Sequence, residues 1–395
     1  MRNIDDYNFR NRKALLRVDF NVPLNNELIV TDETRIIAAI PTIKKIINEG
    51  GSVILMSHLG RPEKGPEDKF SLRHIIPNLQ EKLGIEVKFA GDCIGSLASE
   101  LSKTLGTGEI ILLENVRFYQ EETQGDQDFA IKLAKLGDIY VNDAFGTAHR
   151  AHASTTIVAQ FFEDKCAGYI MGNELAYANK VLEDPNRPFT AIVGGAKISD
   201  KIMIIEKLLD KVDNLIIGGG MSYTFIKAQG GAIGKSLCED NRKAYTLELI
   251  EKAKVKNVNL CLPLDNVIAD DFSNNAKRQI VKSGEIPYNW EGLDIGPQSI
   301  YAFENIIKKS KTILWNGPMG VFEFHNFAVG TEAIAEAVVS ATQNGSFSLI
   351  GGGDSASAIN NLGFGNKVSY VSTGGGALLE YMEGKTLPGL AILEN

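Results

Sequence analysis

Short runs of aliphatic and β-branched residues alternate along the chain with longer stretches in which apolar residues recur every three or four positions. The short runs lie at 14–18, 52–56, 109–113, 138–142, 189–195, 213–220, 258–263, 311–317 and 347–353. Runs of this length are typical of buried strands, and helical segments between them indicate βαβ units with parallel sheets. The pattern predicts an α/β fold of two lobes, each a mostly parallel sheet covered by helices on both faces.

The segment 35–49 shows the helical pattern. Isoleucines recur there at spacings that would place them on one apolar stripe, namely Ile36, Ile37, Ile40, Ile43, Ile46 and Ile47. We predict an amphipathic helix with this stripe against the sheet.

A boundary between the lobes is predicted near residues 168–190. The helix-like segment 171–184 is followed by the breaker PNRP at 185–188, after which a new strand begins. We therefore assign a first lobe to 1–168, a linker helix to 169–184 and a second lobe to 185–372.

Charge and composition narrow the function. The net charge of −8 argues against nucleic acid or an anionic membrane as a partner, because both require a basic surface. The four cysteines form no CxxC pair, and no apolar run reaches 18 residues. We expect a cytoplasmic protein with reduced thiols.

The two lobes differ in residue type. Nine of the twelve arginines and four of the five histidines lie in 1–168, whereas 26 of the 39 glycines and 18 of the 29 lysines follow it. Arginine suits the capture of carboxylate and phosphate, and glycine turns let backbone N–H groups approach a polyphosphate. We expect a small anion on the first lobe and a nucleotide on the second.

In the first lobe, polar and basic residues follow the predicted strands, at the sheet edge where α/β proteins bind ligands. These residues are Asp19, Asn21, Arg35, His58, Arg61, Arg117, His149, Arg150 and His152. A metal site at His149 and His152 is a weaker alternative, because no carboxylate or third histidine stands at ligand spacing.

In the second lobe, several glycine turns follow the strands. Lys197 and Lys201 lie on one side of a predicted helix, where a phosphate chain would relieve their repulsion. Asp354 in GGGDS suits an N-cap and a Mg²⁺ ligand, and Glu323 could accept from ribose hydroxyls. The near-P-loop QGGAIGKS at 229–236 is interpreted as a loop, because a helix-like segment precedes it.

These residues include phosphate-handling groups but no evident general base. Phosphoryl transfer depends mainly on positioning and charge stabilisation, and a carboxylate nucleophile is already ionised at pH 7. The residues alone therefore indicate a two-lobed kinase that phosphorylates a small acidic metabolite. An NAD-dependent dehydrogenase and a non-catalytic nucleotide-binding protein are the alternatives, although no GxGxxG follows the first strand of either lobe.

The motifs resemble those of the phosphoglycerate kinase family, in its order and spacing, from about residue 14 to 390. They are RVDFNVP, SHLGRP, ENVRFY, NDAFGTAHRAH, GGAKISDK, IIGGGM, WNGPMGVFE, GGGDS and STGGGALLEYMEGKTLPG. The resemblance implies a monomer of two Rossmann-like lobes, with the C-terminal segment 373–395 packing back toward the first lobe. It also implies reversible phosphoryl transfer between 1,3-bisphosphoglycerate and Mg-ADP, giving 3-phosphoglycerate and Mg-ATP in glycolysis and gluconeogenesis.

The resemblance also implies roles for individual residues. The phosphoglycerate would be held by Asp19, Asn21, Arg35, His58, Leu59, Gly60, Arg61, Arg117 and Arg150. The nucleotide would be held by Lys201, Gly218, Gly219, Gly220, Asn316, Glu323, Gly352, Gly353, Asp354, Ser355, Gly374 and Gly375. Arg35 and Lys197 would be catalytic, Asp354 would hold Mg²⁺, and hinge closure would bring the two substrates together.

Overall fold

The computed structural model describes residues 1–63 and 65–394, and the chain divides into two compact units. Unit 1 comprises Met1–Ala176 and Gly384–Asn395, and unit 2 comprises Tyr177–Glu383. Each unit is built on a parallel sheet of six strands, which confirms the predicted α/β class.

The sheet of unit 1 has the strand order β3-β4-β2-β1-β5-β6, with every neighbouring pair parallel. Its strands are β1 (Lys13–Arg17), β2 (Ser52–Met56), β3 (Val87–Phe89), β4 (Ile110–Leu112), β5 (Ile139–Asn142) and β6 (Lys165–Ala167). The edge strands β3 and β6 were not predicted, because their sequences VKF and KCA each contain a lysine and show no continuous apolar run.

The helices of unit 1 fill the connections between these strands. They are α1 (Thr34–Asn48), α2 (Ile76–Leu83), α3 (Ser96–Thr104), α4 (Gln120–Gln124) and α5 (Gln127–Ala134), with a π-helix at Ala153–Ile157. Helix α6 (Tyr169–Leu182) begins in unit 1 and ends in unit 2.

Helix α1 packs on the sheet with a narrower apolar stripe than predicted. Ile36, Ile43 and Ile46 are fully buried among the residues of β1 and β2, but Ile37 is 51% exposed. Consecutive helical residues are about 100° apart, so Ile37 turns away from the face that Ile36 shares with Ile43. The inclusion of Ile37 in the stripe was therefore wrong.

The main sheet of unit 2 has the order β10-β8-β7-β15-β16-β17, again entirely parallel. The strands of unit 2 are β7 (Phe189–Val193), β8 (Asn214–Ile217), β9 (Ala232–Ile233), β10 (Asn259–Cys261), β11 (Asp265–Ala269), β12 (Arg278–Lys282), β13 (Glu285–Ile286), β14 (Glu291–Ile295), β15 (Thr312–Asn316), β16 (Phe347–Ile350) and β17 (Tyr370–Val371). Strands β12, β11 and β14 form an antiparallel sheet, and β13 pairs with β9.

The helices of unit 2 are α7 (Ile202–Leu208), α8 (Ser222–Ala228), α9 (Lys243–Val255), α10 (Pro297–Ile307), α11 (Val329–Gln343), α12 (Gly353–Asn361) and α13 (Gly376–Met382). Helix α13 contacts α7, so the chain from 373 to 383 belongs with unit 2 and the return to unit 1 starts at Gly384. That point is later than the predicted residue 373.

The C-terminal helix α14 (Pro388–Glu394) packs within unit 1. Gly389 donates its N–H to the Ala148 carbonyl at 2.8 Å, and Leu390 and Leu393 are buried. A Cβ at Gly389 would lie 3.0 Å from the Ala148 Cα, so glycine permits this close contact. Among the described residues, no helix has the length and hydropathy needed to cross a bilayer.

We expect Ile43→Ala to destabilise unit 1 by about 2–5 kcal/mol, because it leaves a cavity in a fully buried position. The matched control is Ile37→Ala on the same helix, which should change the free energy of unfolding by less than about 0.5 kcal/mol. Urea denaturation followed by circular dichroism measures both. Equal losses in the two variants would contradict the packing described for α1.

Candidate active site

In the sheet of unit 1, β2 pairs with one edge of β1 and β5 pairs with the other edge. Ligands bind at the carboxyl ends of strands where the strand order reverses in this way. Asp19 and Asn21 follow β1 directly, and His58 follows β2. The topology therefore places these predicted residues at the edge where a ligand is expected.

Hydrogen bonds join the loops that follow these strands. Both Asp19 carboxylate oxygens accept from Arg35 Nη1 at 3.0 Å, and the same nitrogen donates to the Asn21 carbonyl at 3.1 Å. Gly60 N–H donates to Asn21 Oδ1 at 2.8 Å, and Arg117 Nη1 donates to the Gly60 carbonyl at 2.8 Å. The structure thus connects five of the predicted residues in one network.

Positive charges surround His58, which lies near this network. Burial lowers the pKa of His58 well below its ordinary 6.5, and the charges of Arg17, Arg117, Arg35 and Arg150 lower it further. Burial, together with the charges of Arg17 and Arg150, also lowers the pKa of Arg117 to about 10. A site with several guanidinium groups around a neutral imidazole is suited to a multiply charged anion.

The other predicted residues of unit 1 surround this cluster. Leu59 is buried, and its carbonyl accepts from Asn115 Nδ2 at 2.7 Å. The Arg61 side chain is exposed and makes no hydrogen bond or ion pair with the described residues. Arg150 Nε donates to His149 Nε2 at 3.1 Å. Among the described residues, no group of three or more His, Cys, Asp or Glu side chains could hold a metal ion.

Two charged residues of this region escaped the sequence reasoning. Arg17 ends β1 and Glu122 lies on α4, and both side chains are buried. An arginine at the end of the apolar run ALLRV was a usable signal for Arg17. Glu122 gave no such signal, because it stands among other polar residues in YQEETQG.

In unit 2, the strand order reverses between β7 and β15, and glycine loops follow both strands and β8. Gly194 N–H donates to the Asn316 carbonyl at 2.9 Å, and Gly219 N–H donates to the Met319 carbonyl at 3.0 Å. A Cβ at Gly194 would lie 2.0 Å from the Pro318 carbonyl oxygen, and one at Gly219 would lie 2.6 Å from Gly195 N. Only glycine allows these three loops to meet backbone to backbone.

These loops border a cavity of about 520 Å³. Four predicted nucleotide-binding residues line it, namely Gly219, Gly220, Glu323 and Asp354. The sequence reasoning missed other lining residues, among them Tyr223, Lys235, Leu237, Phe272 and Glu291. Lys235 belongs to QGGAIGKS, which is not a P-loop because helix α8 precedes it. The segment nevertheless contributes this lysine to the cavity wall.

Polar side chains connect the loops after β15 and β16. Asn316 Nδ2 donates to the Gly351 carbonyl at 2.8 Å, and its Oδ1 accepts from Lys201 Nζ. Ser355 is fully buried, and its Oγ accepts from Gly317 N–H at 2.5 Å. Burial lowers the pKa of Lys201, although Asp354, Asp200 and Glu383 partly oppose this shift. These contacts place Lys201 beside the loop that carries Asp354.

Two details of the predicted second lobe were wrong. Helix α7 begins at Ile202, so Lys197 lies exposed in the preceding turn and Lys201 is the N-cap. Asp354 lies in the first turn of α12, whose N-cap is Gly352 at φ +91°. That left-handed conformation favours glycine, which places the cap two residues before the aspartate.

The remaining predicted glycines lie close to this region. Gly218 is buried at the end of β8, where a Cβ would lie 2.4 Å from Met319 Sδ. Gly353 begins α12, and Gly374 precedes Gly375, which is the N-cap of α13. None of these glycines lines the cavity.

The family model for phosphoglycerate kinase matches residues 4–385. The chain belongs to the phosphoglycerate kinase family. A curated relative, "Phosphoglycerate kinase" of Porphyromonas gingivalis, is 52% identical over 99% of each chain. "Phosphoglycerate kinase, cytosolic" of Nicotiana tabacum is 51% identical over 99% of this chain and 98% of its own. The solved structure of phosphoglycerate kinase from Coxiella burnetii has a TM-score of 0.89 and 42% identity, and covers 100% of this chain and 98% of its own.

Family membership confirms the reaction expected from the sequence. The chain is a phosphotransferase with a carboxyl group as acceptor, and it transfers a phosphoryl group between 1,3-bisphosphoglycerate and ADP in glycolysis. The dehydrogenase and the non-catalytic relative are not favoured.

We expect His58 to reduce stability as the pH falls. The folded protein keeps His58 neutral, whereas the unfolded chain gains a proton below about pH 6.5. Unfolding is therefore favoured by acid, and the free energy of unfolding should fall by up to about 1.4 kcal/mol per pH unit below pH 6.5. Urea titrations at pH 5, 6 and 7 should show a smaller fall in His58→Gln. Equal falls in both proteins would contradict a neutral His58.

Proposed function

We propose that unit 1 binds the phosphoglycerate and unit 2 binds the magnesium nucleotide. The observation that carries this assignment is the convergence of four arginines on the neutral His58 in unit 1. Unit 2 offers instead a cavity bordered by glycine loops, which suits a nucleotide and its phosphates.

For the acid, Arg35, Arg117 and Arg150 would bind carboxylate and phosphate oxygens, with His58 as a neutral donor. Asp19 and Asn21 would orient Arg35 and the Gly60 loop through the hydrogen bonds described above. Arg61, which is exposed beside that loop, would add a further guanidinium once the acid is bound. Leu59 would contribute through its buried position rather than through a polar contact.

For the nucleotide, Glu323 would accept from the ribose hydroxyls, and Gly218, Gly219 and Gly220 would flank the base. The nucleotide phosphates would be bound by the side chains of Lys201, Asn316 and Ser355 and by the backbone of Gly352, Gly353, Gly374 and Gly375.

Asp354 would hold Mg²⁺. Its exposed side chain lines the cavity in the first turn of α12, and one carboxylate with phosphate oxygens and water is the donor set that Mg²⁺ prefers. The ion would neutralise phosphate charge when bound.

The chemistry requires no proton transfer. A carboxylate oxygen of 3-phosphoglycerate forms the new bond to the γ-phosphorus while the bond to the β–γ bridging oxygen breaks and ADP leaves with the electron pair. Arg35 from unit 1 and Lys197 from unit 2 would stabilise the charge on the transferring group. The reverse direction uses the same residues.

Closure of the two units on their substrates would bring Arg35 and Lys197 to that group and exclude water. We further propose that the protein acts as a monomer. We also propose that it lies in the cytosol, the location that the name of the tobacco relative states for that protein.

We expect Arg35→Ala to lower kcat by about 10³-fold or more, because an arginine that stabilises transferring phosphoryl charge contributes about that much. Lys197→Ala should act in the same direction. The measurement is ADP release from ATP on addition of 3-phosphoglycerate and Mg²⁺, with coupled removal of the product.

The matched controls are Arg12→Ala, which breaks an ion pair with Asp164 on unit 1, and Lys207→Ala on the exposed side of α7. Both should keep nearly full activity. If Arg35→Ala changed only KM, the proposed catalytic role of Arg35 would be wrong. Activity without Mg²⁺ would contradict the proposed role of the ion.

We expect small-angle scattering to show a smaller radius of gyration only when 3-phosphoglycerate and a non-hydrolysable Mg-ATP analogue are both present. Either ligand alone should leave the radius close to that of the free protein, because closure needs contacts with both. A radius that stays constant with both ligands bound would rule out closure.

A further inference from the structure

A buried pair of opposite charges lies behind the anion site of unit 1. Glu122 is 0% exposed and Arg17 is 1% exposed, and Ser154 connects them. Ser154 Oγ accepts from Arg17 Nε at 2.9 Å and donates to Glu122 Oε1 at 2.7 Å, and Ser154 N–H donates to Glu122 Oε2 at 2.8 Å. The hydroxyl therefore uses its proton on the carboxylate and its lone pair on the guanidinium.

The environment keeps Glu122 ionised although it is buried. Burial would raise the pKa of Glu122, but His152, the charge of Arg17 and the two hydrogen bonds from Ser154 outweigh that effect and lower it. A buried carboxylate without such partners would be neutral. Glu122 is thus a fixed negative charge behind a cluster of positive ones.

The Nη2 group of Arg17 determines which ring nitrogen of His58 carries the proton. Arg17 Nη2 lies 3.2 Å from His58 Nδ1, and its Nη1 donates to the Val18 carbonyl. A guanidinium has no acceptor, so it must donate, and Nδ1 must carry the lone pair. Because the imidazole is neutral, its proton lies on Nε2, which hydrogen-bonds none of the described residues.

We propose that Glu122 is a positioning residue that acts through Ser154 and Arg17 to hold His58 in the Nε2–H tautomer. His58 then presents a donor, not a lone pair, to an oxygen of the bound acid. This rests on the proposed function in one respect only, that the ligand of unit 1 is 3-phosphoglycerate.

The backbone supports this role for Ser154. The residue lies in the π-helix Ala153–Ile157, a rare conformation that is frequent at functional sites. Tyr140 Oη donates to the Ser154 carbonyl at 3.0 Å and fixes the segment against β5. The serine therefore has one position between Glu122 and Arg17.

The test compares Ser154→Ala with the wild type. The variant keeps both charges and the backbone N–H bond to Glu122 but loses the bridging hydroxyl. Nitrogen-15 NMR of the free protein, with His58 assigned by its loss in His58→Gln, should show a single Nε2–H tautomer in the wild type and a mixture in Ser154→Ala. Calorimetric affinity for 3-phosphoglycerate should fall about fivefold, as expected for one lost hydrogen bond.

The matched control is Ser102→Ala. Ser102 is another buried serine of unit 1 and lies on α3, and its Oγ donates to the Leu136 carbonyl at 2.6 Å. It should leave both the tautomer and the affinity unchanged. If Ser154→Ala behaves like this control, or if the wild type carries the proton on Nδ1, the proposal is wrong.

Glu122→Gln separates positioning from simple electrostatics. Removing a negative charge near an anion site should tighten binding if only charge matters, whereas loss of positioning should weaken it. Tighter binding with an unchanged tautomer would overturn the proposal. If the tautomer responds as expected but the wild type does not bind 3-phosphoglycerate, the proposed ligand fails and the positioning role stands.

Discussion

Repulsion among the arginines around His58 is the constraint on which unit 1 depends. The charges of Arg17, Arg35, Arg117 and Arg150 all lower the pKa of one imidazole, and the guanidinium groups of Arg17, Arg35 and Arg117 each donate to a backbone carbonyl. Asp19 beside Arg35 and Glu122 behind Arg17 offset part of this positive charge, whereas the carbonyls, which carry no formal charge, do not. If unit 1 binds the acid as proposed, the two anionic groups of that acid would relieve the remaining repulsion.

The loops of unit 2 are built in a different way on a similar sheet. Its loops meet through Gly194 and Gly219, where any side chain would collide with neighbouring backbone, and its lysines stand beside these loops. Backbone N–H groups and helix N-termini can bind phosphates through partial charges, so such a site needs few charged side chains close together. Under the proposed function, the same topological feature, a reversal of strand order, would support a side-chain site in one unit and a backbone site in the other.

The sequence was sufficient for most strands of the two main sheets, because these strands are visible as apolar runs followed by polar motifs. It was insufficient where position depends on tertiary packing. The antiparallel sheet around β11 was missed because its strands lack a continuous apolar run, and with it Glu291 of the cavity wall. Ile37 and Lys197 were misplaced because helix rotation and helix start are fixed by contacts distant in sequence. Glu122 has no local signature at all.

Helix α14 gives the chain an unusual order of assembly. Gly389 and the buried leucines of α14 complete unit 1, yet all of unit 2 precedes them in the chain. During translation, every residue of unit 2 leaves the ribosome before unit 1 receives its last helix. Domains generally fold as units while synthesis proceeds. Unit 1 therefore contains both the first residues to be synthesised and a helix that is made after all of unit 2.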